Sequence, residues 1–392
     1  MHRPTNYLAS SNGKSVLVIG AGVVGLTSAL CLARKGFRVS VVADRFAPRV
    51  TSVVAGALWE WPPAVCGQHQ DAMSLDRAKG WSETSYRVFA DLARNPATGV
   101  FLRPVTFYFK RPIGEDQRQS KKVEEYKDKV REFRHDAALI EEHGVNRELG
   151  FRDAYTHLAP MVDTDVYLRW LLNEVLRAGC RVIEEKVVGS LRGQEEALLR
   201  RHEADAIVNC AGLGARELTG DQVTPLRGAL IRVRNDGIAM PRIAVAHCVS
   251  HNGLTGERGF IFIVPRGNDM LVLGGLAEPD EWDDDIDFDN YEPIRKMYRR
   301  CVEFLPALRT AVIDAEQPVR VGLRPFRRGG VRLENEAGTH VVHNYGHGGS
   351  GVTYSWGCGL EVVERVERLF AEYLIPSGGH FAADEQLHAF FS

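Results

Sequence analysis

Three glycines constrain this chain more than any other feature. Gly20-Ala21-Gly22-Val23-Val24-Gly25 follows the β-rich apolar run Val16-Leu17-Val18-Ile19 and precedes the helix-forming stretch Leu26 to Leu32, which continues as far as Gly36. G-x-G-x-x-G in that setting predicts a strand–turn–helix. The first glycine makes the tight turn, the second lets a pyrophosphate approach the backbone, and the third lets helix pack on strand. The helix opening, at Val23 and Val24, offers free N–H groups to phosphates. Val39 to Val42 read as a second, parallel strand, apolar throughout because helices would cover both faces. It ends in Ala43-Asp44-Arg45, placing a carboxylate near the spacing of about 20 residues at which ribose hydroxyls are bound. A doubly wound α/β domain is expected, and the motif alone leaves FAD and NAD both open.

The chain has 392 residues, 44% of them hydrophobic, enough for two lobes with a substantial core. Lys and Arg number 49 against 51 for Asp and Glu, so a net charge of -2 gives no general pull toward nucleic acid or an anionic membrane. A small-molecule partner is expected. Seven scattered cysteines without a C-x-x-C pair argue against a disulfide framework and a zinc cage. The N-terminal residues form no apolar leader, no segment reaches the ~18 apolar residues that span a bilayer, and Ala389-Phe390-Phe391-Ser392 is not a peroxisomal address. A cytoplasmic protein is expected.

Further along, the charged stretch Gln117 to Arg134 interleaves both signs and reads as a solvated helix face. Tyr167 to Leu176 reads as a helix leading to Arg181-Val182-Ile183, and Ala206 to Gly212 reads as a buried strand ending in glycine. Leu230 to Val233, Phe260 to Val264 and Met270 to Leu273 suggest an antiparallel sheet that floors a cavity. The acidic loop Asp280 to Asp289 lacks the glycine turn and terminal Glu of a calcium loop. The pair His247/His251 lacks carboxylate partners at recognisable spacing, so no metal is expected there.

Several segments, in order, resemble the D-amino-acid oxidase and D-aspartate oxidase family: Val42 to Pro48 with Ala55-Gly56-Ala57-Leu58-Trp59, Val208 to Gly212, Val321-Gly322-Leu323-Arg324-Pro325, Arg332-Leu333-Glu334, and His343-Asn344-Tyr345-Gly346-His347-Gly348-Gly349-Ser350-Gly351-Val352-Thr353 with Trp356-Gly357-Cys358. They span most of the chain; Gln117 to Glu148 and the first dozen residues are least covered. The resemblance implies noncovalent FAD in a discontinuous Rossmann-like domain (1–65, 155–220 and 318–392). It also implies an α+β substrate domain with an antiparallel sheet (66–154 and 221–317), and it allows a homodimer. It places Gly20, Gly22, Val23, Val24, Gly25, Asp44, Arg45, Thr51, Ser52, Gly348, Gly349, Gly351, Val352 and Thr353 at the cofactor, with Val187 near the adenine. It assigns the pair His343/His347 to a flavin-side structural block, so no metal is expected there either. From the residues themselves, Gly348 to Gly351 ahead of a helix at Thr353 forms a second helix start that can aim N–H groups at the electron-rich end of a flavin.

For the substrate, the resemblance assigns Arg324 to the carboxylate and the carbonyl of Gly349 to the amine. A planar guanidinium suits that role, since two parallel charge-assisted hydrogen bonds fix orientation as well as affinity. The implied reaction is oxidative deamination of a D-amino acid with molecular oxygen, which needs no side-chain base if the amine arrives neutral. Two positions depart from the family: Phe262 stands where a carboxylate-holding tyrosine is expected, and Arg258 replaces a second tyrosine. One absent hydrogen bond costs about 0.5–1.5 kcal/mol, which touches substrate choice more than chemistry. Arg258 either adds positive charge favouring a second carboxylate or is an exposed loop arginine. Glu60 either lines the cavity or is a turn residue paired to an arginine. Rival readings are a glycine- or sarcosine-type oxidase, an oxygen-independent dehydrogenase, and a non-catalytic flavoprotein.

Overall fold

The computed structural model describes residues 13–62, 71–249 and 260–372. The chain opens with β1 (Ser15–Ile19), α1 (Val23–Arg34), β2 (Arg38–Ala43), α2 (Ala72–Leu92), β3 (Val100–Phe109), α3 (Gln117–Tyr126), β4 (Arg131–His135), α4 (Leu139–Glu142) and β5 (Asp153–Val162). It continues with α5 (Thr164–Arg177), β6 (Arg181–Glu184), α6 (Leu191–His202), β7 (Ala206–Asn209), α7 (Ala215–Thr219), β8 (Val223–Arg234), β9 (Ala246–Val249), β10 (Ile261–Arg266) and β11 (Met270–Gly274). Then come β12 (Glu278–Pro279), α8 (Glu292–Phe304), β13 (Val319–Arg327), β14 (Arg332–Asn335), β15 (Val341–Tyr345) and α9 (Gly351–Glu372).

Six strands form one sheet in the order β14-β15-β7-β1-β2-β6, parallel except where β14 meets β15. Its central strand shows why the sequence lacks polar alternation. Val16 and Val18 pack with Leu26 and Leu30 of α1 and with Val362 and Val366 of α9. Leu17 and Ile19 face the opposite way, onto Val42, Ile207 and Leu198 of α6. Both faces are therefore dry, and each fully buried aliphatic side chain contributes about 1.5–3 kcal/mol.

The second sheet runs β12-β8-β11-β10-β9-β3-β5-β4, with β13 also paired to β8. It is antiparallel except between β3 and β9. Its faces differ in role. Ile231, Ile261, Ile263, Leu271 and Leu273 bury against Ile294, Met297, Cys301 and Phe304 of α8. The alternate residues Leu230, Phe262, Val264, Val272 and Cys248 turn the other way, toward Leu58, Trp59 and Trp61. The three β-type runs expected to pair do lie in one antiparallel sheet.

One buried arginine ties the larger sheet to α5 and to the segment after the Thr51–Val54 turn. Arg266 donates from Nη1 to Thr164 Oγ1 at 2.7 Å and from Nη2 to the Ala55 carbonyl at 2.7 Å. Burial pushes its guanidinium down to about 10. Strand pairing places 155–162 and 319–327, expected with the nucleotide-binding portion, in the larger sheet. The stretch Gln117 to Arg134 is not one helix: α3 ends at Tyr126, with Val123 and Tyr126 buried in the aromatic cluster, and the chain resumes as β4. The loop Asp280 to Asp289 spends several of its carboxylates on local turns, such as Asp287 Oδ1 accepting from the Asp289 amide at 2.7 Å. No helix among the described residues is long and apolar enough to cross a membrane.

Candidate active site

β1 delivers Gly20 with φ +107°, a left-handed conformation, and a Cβ there would lie 2.4 Å from the Cys210 carbonyl oxygen. A Cβ on Gly25 would lie 2.0 Å from the Gly20 oxygen, so helix and turn meet only because both are glycine. At the start of α1 the Val23 amide donates to Ser52 Oγ at 3.0 Å, so the expected cofactor residue Ser52 also caps this helix. The Val24 and Gly25 amides have no protein acceptor among the described residues, as the opening of a helix leaves them. Asp44 and Arg45 stand exposed just past β2, whose Val42 carbonyl accepts from the Gly20 amide at 2.8 Å; the carboxylate is thus beside the turn. Val187 packs on the cluster of Leu17, Ile19 and Val42, past the end of β6.

The second helix start converges on the first. Gly348, with φ +53°, begins a single 3-10 turn that runs through exposed Gly349 to Ser350 and into α9. The Cβ position of Gly351 lies 3.8 Å from Val24 Cγ2 and 3.9 Å from Val23 Cγ1, so the N-termini of α1 and α9 are side by side. Val352 and Thr353 are buried in the first turn of α9 and can contribute there through backbone. His347 is buried, its imidazole held neutral with a pKa lowered to about 3, and its Nε2 has no partner among the described residues. Two glycine-lined helix openings, unpartnered amides and an unpartnered buried nitrogen fit an elongated dinucleotide held along its length.

The substrate side grows from β13. Phe326 forms a bridge with His347, which sets the Gly348–Ser350 turn beside that strand. Gly322 of β13 lies against Val54, the Cβ position being 3.0 Å from Val54 Cβ, so the Thr51–Val54 turn covers the same face. Arg324, two residues on, shares that face. Its guanidinium reaches across β8 onto Gly228, where a Cβ would fall 2.2 Å from Nη1, and Nη1 donates to the Leu276 carbonyl at 3.3 Å. Neighbouring arginines are structural: Arg327 Nε pairs with Asp221 at 2.6 Å, and Arg332 Nε with Glu334 at 2.7 Å. Phe262 follows from the register, since Leu230 faces Gly274 and Gly274 faces Phe262. Two strand spacings, roughly 10 Å, separate its strand from the one under Arg324. Its ring fills the space beside Gly56, whose Cβ position lies 2.6 Å from Cε1.

Arg324, Gly349, Phe262 and the two helix starts are thus brought to one region. Arg258, like His251 and Cys66, lies outside the described residues. Glu60 is paired, but to Lys122 at 3.2 Å rather than to an arginine. His343 binds Glu336 at 3.2 Å and His247 binds Tyr108 Oη at 2.8 Å. Among the described residues no group of three or more His, Cys, Asp or Glu is arranged to hold a metal ion. Sequence reasoning missed Gly228, Arg266 and Lys122, and gave Gly56 no role of its own. A glycine inside an apolar strand pattern marks a close approach, and that signal was available for Gly228.

Residues 15–365 match the DAO family, described as FAD dependent oxidoreductase. The D-amino-acid oxidase of Rubrobacter xylanophilus is 38% identical over 352 residues, covering 88% of this chain and 93% of that protein. The D-aspartate oxidase of Homo sapiens is 30% identical over 365 residues, covering 90% and 94%. Among solved structures, glycine oxidase from Bacillus cereus superposes with a TM-score of 0.69 at 17% identity over 91% of this chain and 95% of that one, which speaks to fold alone. The converging helix starts and the near-complete family match lead to one assignment: this chain belongs to the DAO family of FAD-dependent oxidoreductases.

Proposed function

We propose that the protein oxidises the α-carbon of a D-amino acid to the imine, which hydrolyses to the 2-oxo acid and ammonia while oxygen is reduced to hydrogen peroxide. The observation that carries this reading is the Arg324 guanidinium lying over Gly228, on the face of the sheet turned toward the glycine-rich helix starts. The D-configuration is taken from the relatives named D-amino-acid oxidase, at 38% and 36% identity.

FAD, when bound, supplies the acceptor for the hydride and for its onward transfer to oxygen. This chain supplies placement. The Val24 and Gly25 amides would hold the cofactor's pyrophosphate, and the adjacent Gly348–Gly351 turn would face its flavin end. Arg324 takes the substrate carboxylate in two parallel charge-assisted bonds, and the Gly349 carbonyl accepts from the amine, so two anchors fix which Cα–H faces forward. The lone pair of a neutral amine closes the C=N bond as the hydride leaves Cα, giving the protonated imine, so no side-chain base is required. Phe262 and Leu58 keep the chamber apolar and strengthen the carboxylate–guanidinium contact. The site residues divide between a discontinuous nucleotide-binding portion and a substrate portion on the larger sheet.

The test is a stoichiometric one on the purified yellow holoprotein: oxygen uptake, peroxide and 2-oxo acid measured with matched D- and L-amino acids. Equal yields of peroxide and 2-oxo acid from D-isomers are expected. Turnover of L-isomers alone, or of no amino acid, overturns the proposal.

A further inference from the structure

A cleft of about 550 Å³ opens at the end of the larger sheet remote from Phe262. That volume lies in the range of roughly 300–1,000 Å³ found for small-molecule sites. Gly267, on its wall, is five residues on from Phe262 along β10 and its turn, roughly 17 Å at the rise of a strand. The cleft is therefore separate from the region around Arg324. It exists because the sheet curls. β5 and β10 are three places apart in the strand order, about 14 Å if flat, yet Asp163 Oδ2 beyond β5 lies 2.8 Å from the Cβ position of Gly267 beyond β10. The cleft lies between that contact and Phe101 on β3.

Its charges are unmatched. Asp163, Asp236, Asp269 and Arg242 line it, and none of the four has an ion-pair partner among the described residues. Arg103, whose guanidinium stacks 4.2 Å over the Phe101 ring, has none either, and burial followed by the nearby Arg242 charge hold it below its usual range. Charges close by are matched: Asp165 pairs with Arg320 at 2.7 Å and Asp314 with Arg232 at 3.0 Å. Asp163 Oδ1 caps α5 by accepting from the Asp165 amide at 3.2 Å, and Asp236 Oδ1 accepts from the Ile238 amide at 3.0 Å, so Oδ2 of each is left for a ligand. Phe101 and Val166 add an apolar wall. A guanidinium, carboxylates and an apolar wall in one cleft complement a molecule that carries a carboxylate, an ammonium and an apolar group together.

We propose that this cleft is a second binding site, for a free α-amino acid with an apolar side chain, and that its occupant tightens FAD binding. The ligand carboxylate faces Arg242, and its ammonium faces Asp163 and Asp269 on either side of Gly267. Asp163 and Gly267 each adjoin a member of the clamp on the cofactor segment. Arg266 Nη1 donates to Thr164 Oγ1 at 2.7 Å, Thr164 Oγ1 donates to the Val53 carbonyl at 2.6 Å, and Arg266 Nη2 donates to the Ala55 carbonyl at 2.7 Å. An amino acid bridging Asp163 and Asp269 braces Thr164 against Arg266 and so steadies the turn that carries Ser52, the cap of α1. This site does not depend on the proposed oxidation.

The test uses L-leucine and the Arg324→Ala holoprotein, which lacks the catalytic carboxylate anchor. Equilibrium dialysis should find one equivalent bound, and Arg242→Gln or Asp269→Asn added to that background should weaken it about tenfold or more. Putrescine and isovalerate, which carry only the cation or only the anion, should each bind at least about tenfold more weakly than L-leucine. Saturating L-leucine should lower the FAD dissociation constant about fivefold or more, and FAD should tighten L-leucine by the same factor, as coupled sites require. Should Arg324→Ala fail to fold, the wild-type holoprotein gives the same comparison, since Arg242→Gln and Asp269→Asn alter only the cleft. Absence of saturable L-leucine binding, binding that both variants leave intact, or equal binding of putrescine or isovalerate overturns the site. An FAD dissociation constant indifferent to L-leucine overturns the coupling.

Discussion

Gly228→Ala is a test in which fold and function should separate. The added Cβ would lie 2.2 Å from Arg324 Nη1 and 2.3 Å from Nη2, where ordinary contact is about 3.5 Å. The guanidinium is the end of a flexible side chain, so it yields while β8 and β13 stay paired, and it must move by more than 1 Å. A shift of that size breaks the parallel two-bond grip on a carboxylate, and each charge-assisted bond is worth about 1.5–3 kcal/mol. Losing one raises KM for any D-amino acid about 10- to 150-fold, with a further fall in kcat from misorientation. FAD content, read from the flavin absorbance, and the thermal midpoint should stay near wild type. An unchanged KM in a folded, yellow Gly228→Ala protein would refute the placement of the carboxylate over β8.

Other perturbations follow from the same geometry. Gly25→Ala drives a Cβ to 2.0 Å from the Gly20 backbone oxygen, so the protein should purify colourless or unstable; normal flavin content would contradict the cradle. Arg266→Met removes the donors to Thr164 Oγ1 and the Ala55 carbonyl, leaving Thr164 only its own bond to the Val53 carbonyl. It should cost about 3–5 kcal/mol in urea unfolding and loosen FAD binding through the Thr51–Val54 turn. Buried His347 and His247 have pKa values lowered to about 3, and His157 and His343 to about 4, against 6.5 when unfolded. Between pH 6.5 and those values the unfolded chain binds more protons, so stability falls as pH falls, by at most about 1.4 kcal/mol per pH unit per histidine. Thermal midpoints measured from pH 7 to pH 5 should drop accordingly, and His157→Phe should flatten the slope; a flat profile in the wild type would contradict it.

The nucleotide end was legible because its requirements are local. A strand, a three-glycine turn and a helix lie within consecutive residues, and Gly20 and Gly25 are forced by backbone contacts within or beside that unit. Arg324 was legible as chemistry but its seat was not, since Gly228 is distant in sequence and meets it only through the β8–β13 register. Lys122 was hidden by composition. It sits in a stretch of alternating charge, α3, that exposes half of its polar residues, while Val123 and Tyr126 turn the helix so that this one lysine faces Phe107. The departure at Phe262 was visible in sequence, and its physical setting, a ring packed over Gly56 beside Gly274, emerged only from pairing three strands.

The central claim is that this fold presents a D-amino acid's Cα–H to bound FAD from the carboxylate anchor at Arg324. Anaerobic mixing of the holoprotein with D-alanine and, separately, L-alanine, followed by flavin absorbance, addresses it directly. Bleaching by the D-isomer alone, slowed by deuterium at Cα and lost in Arg324→Ala, is the expected result. A flavin bleached by the L-isomer, or by neither, would contradict it.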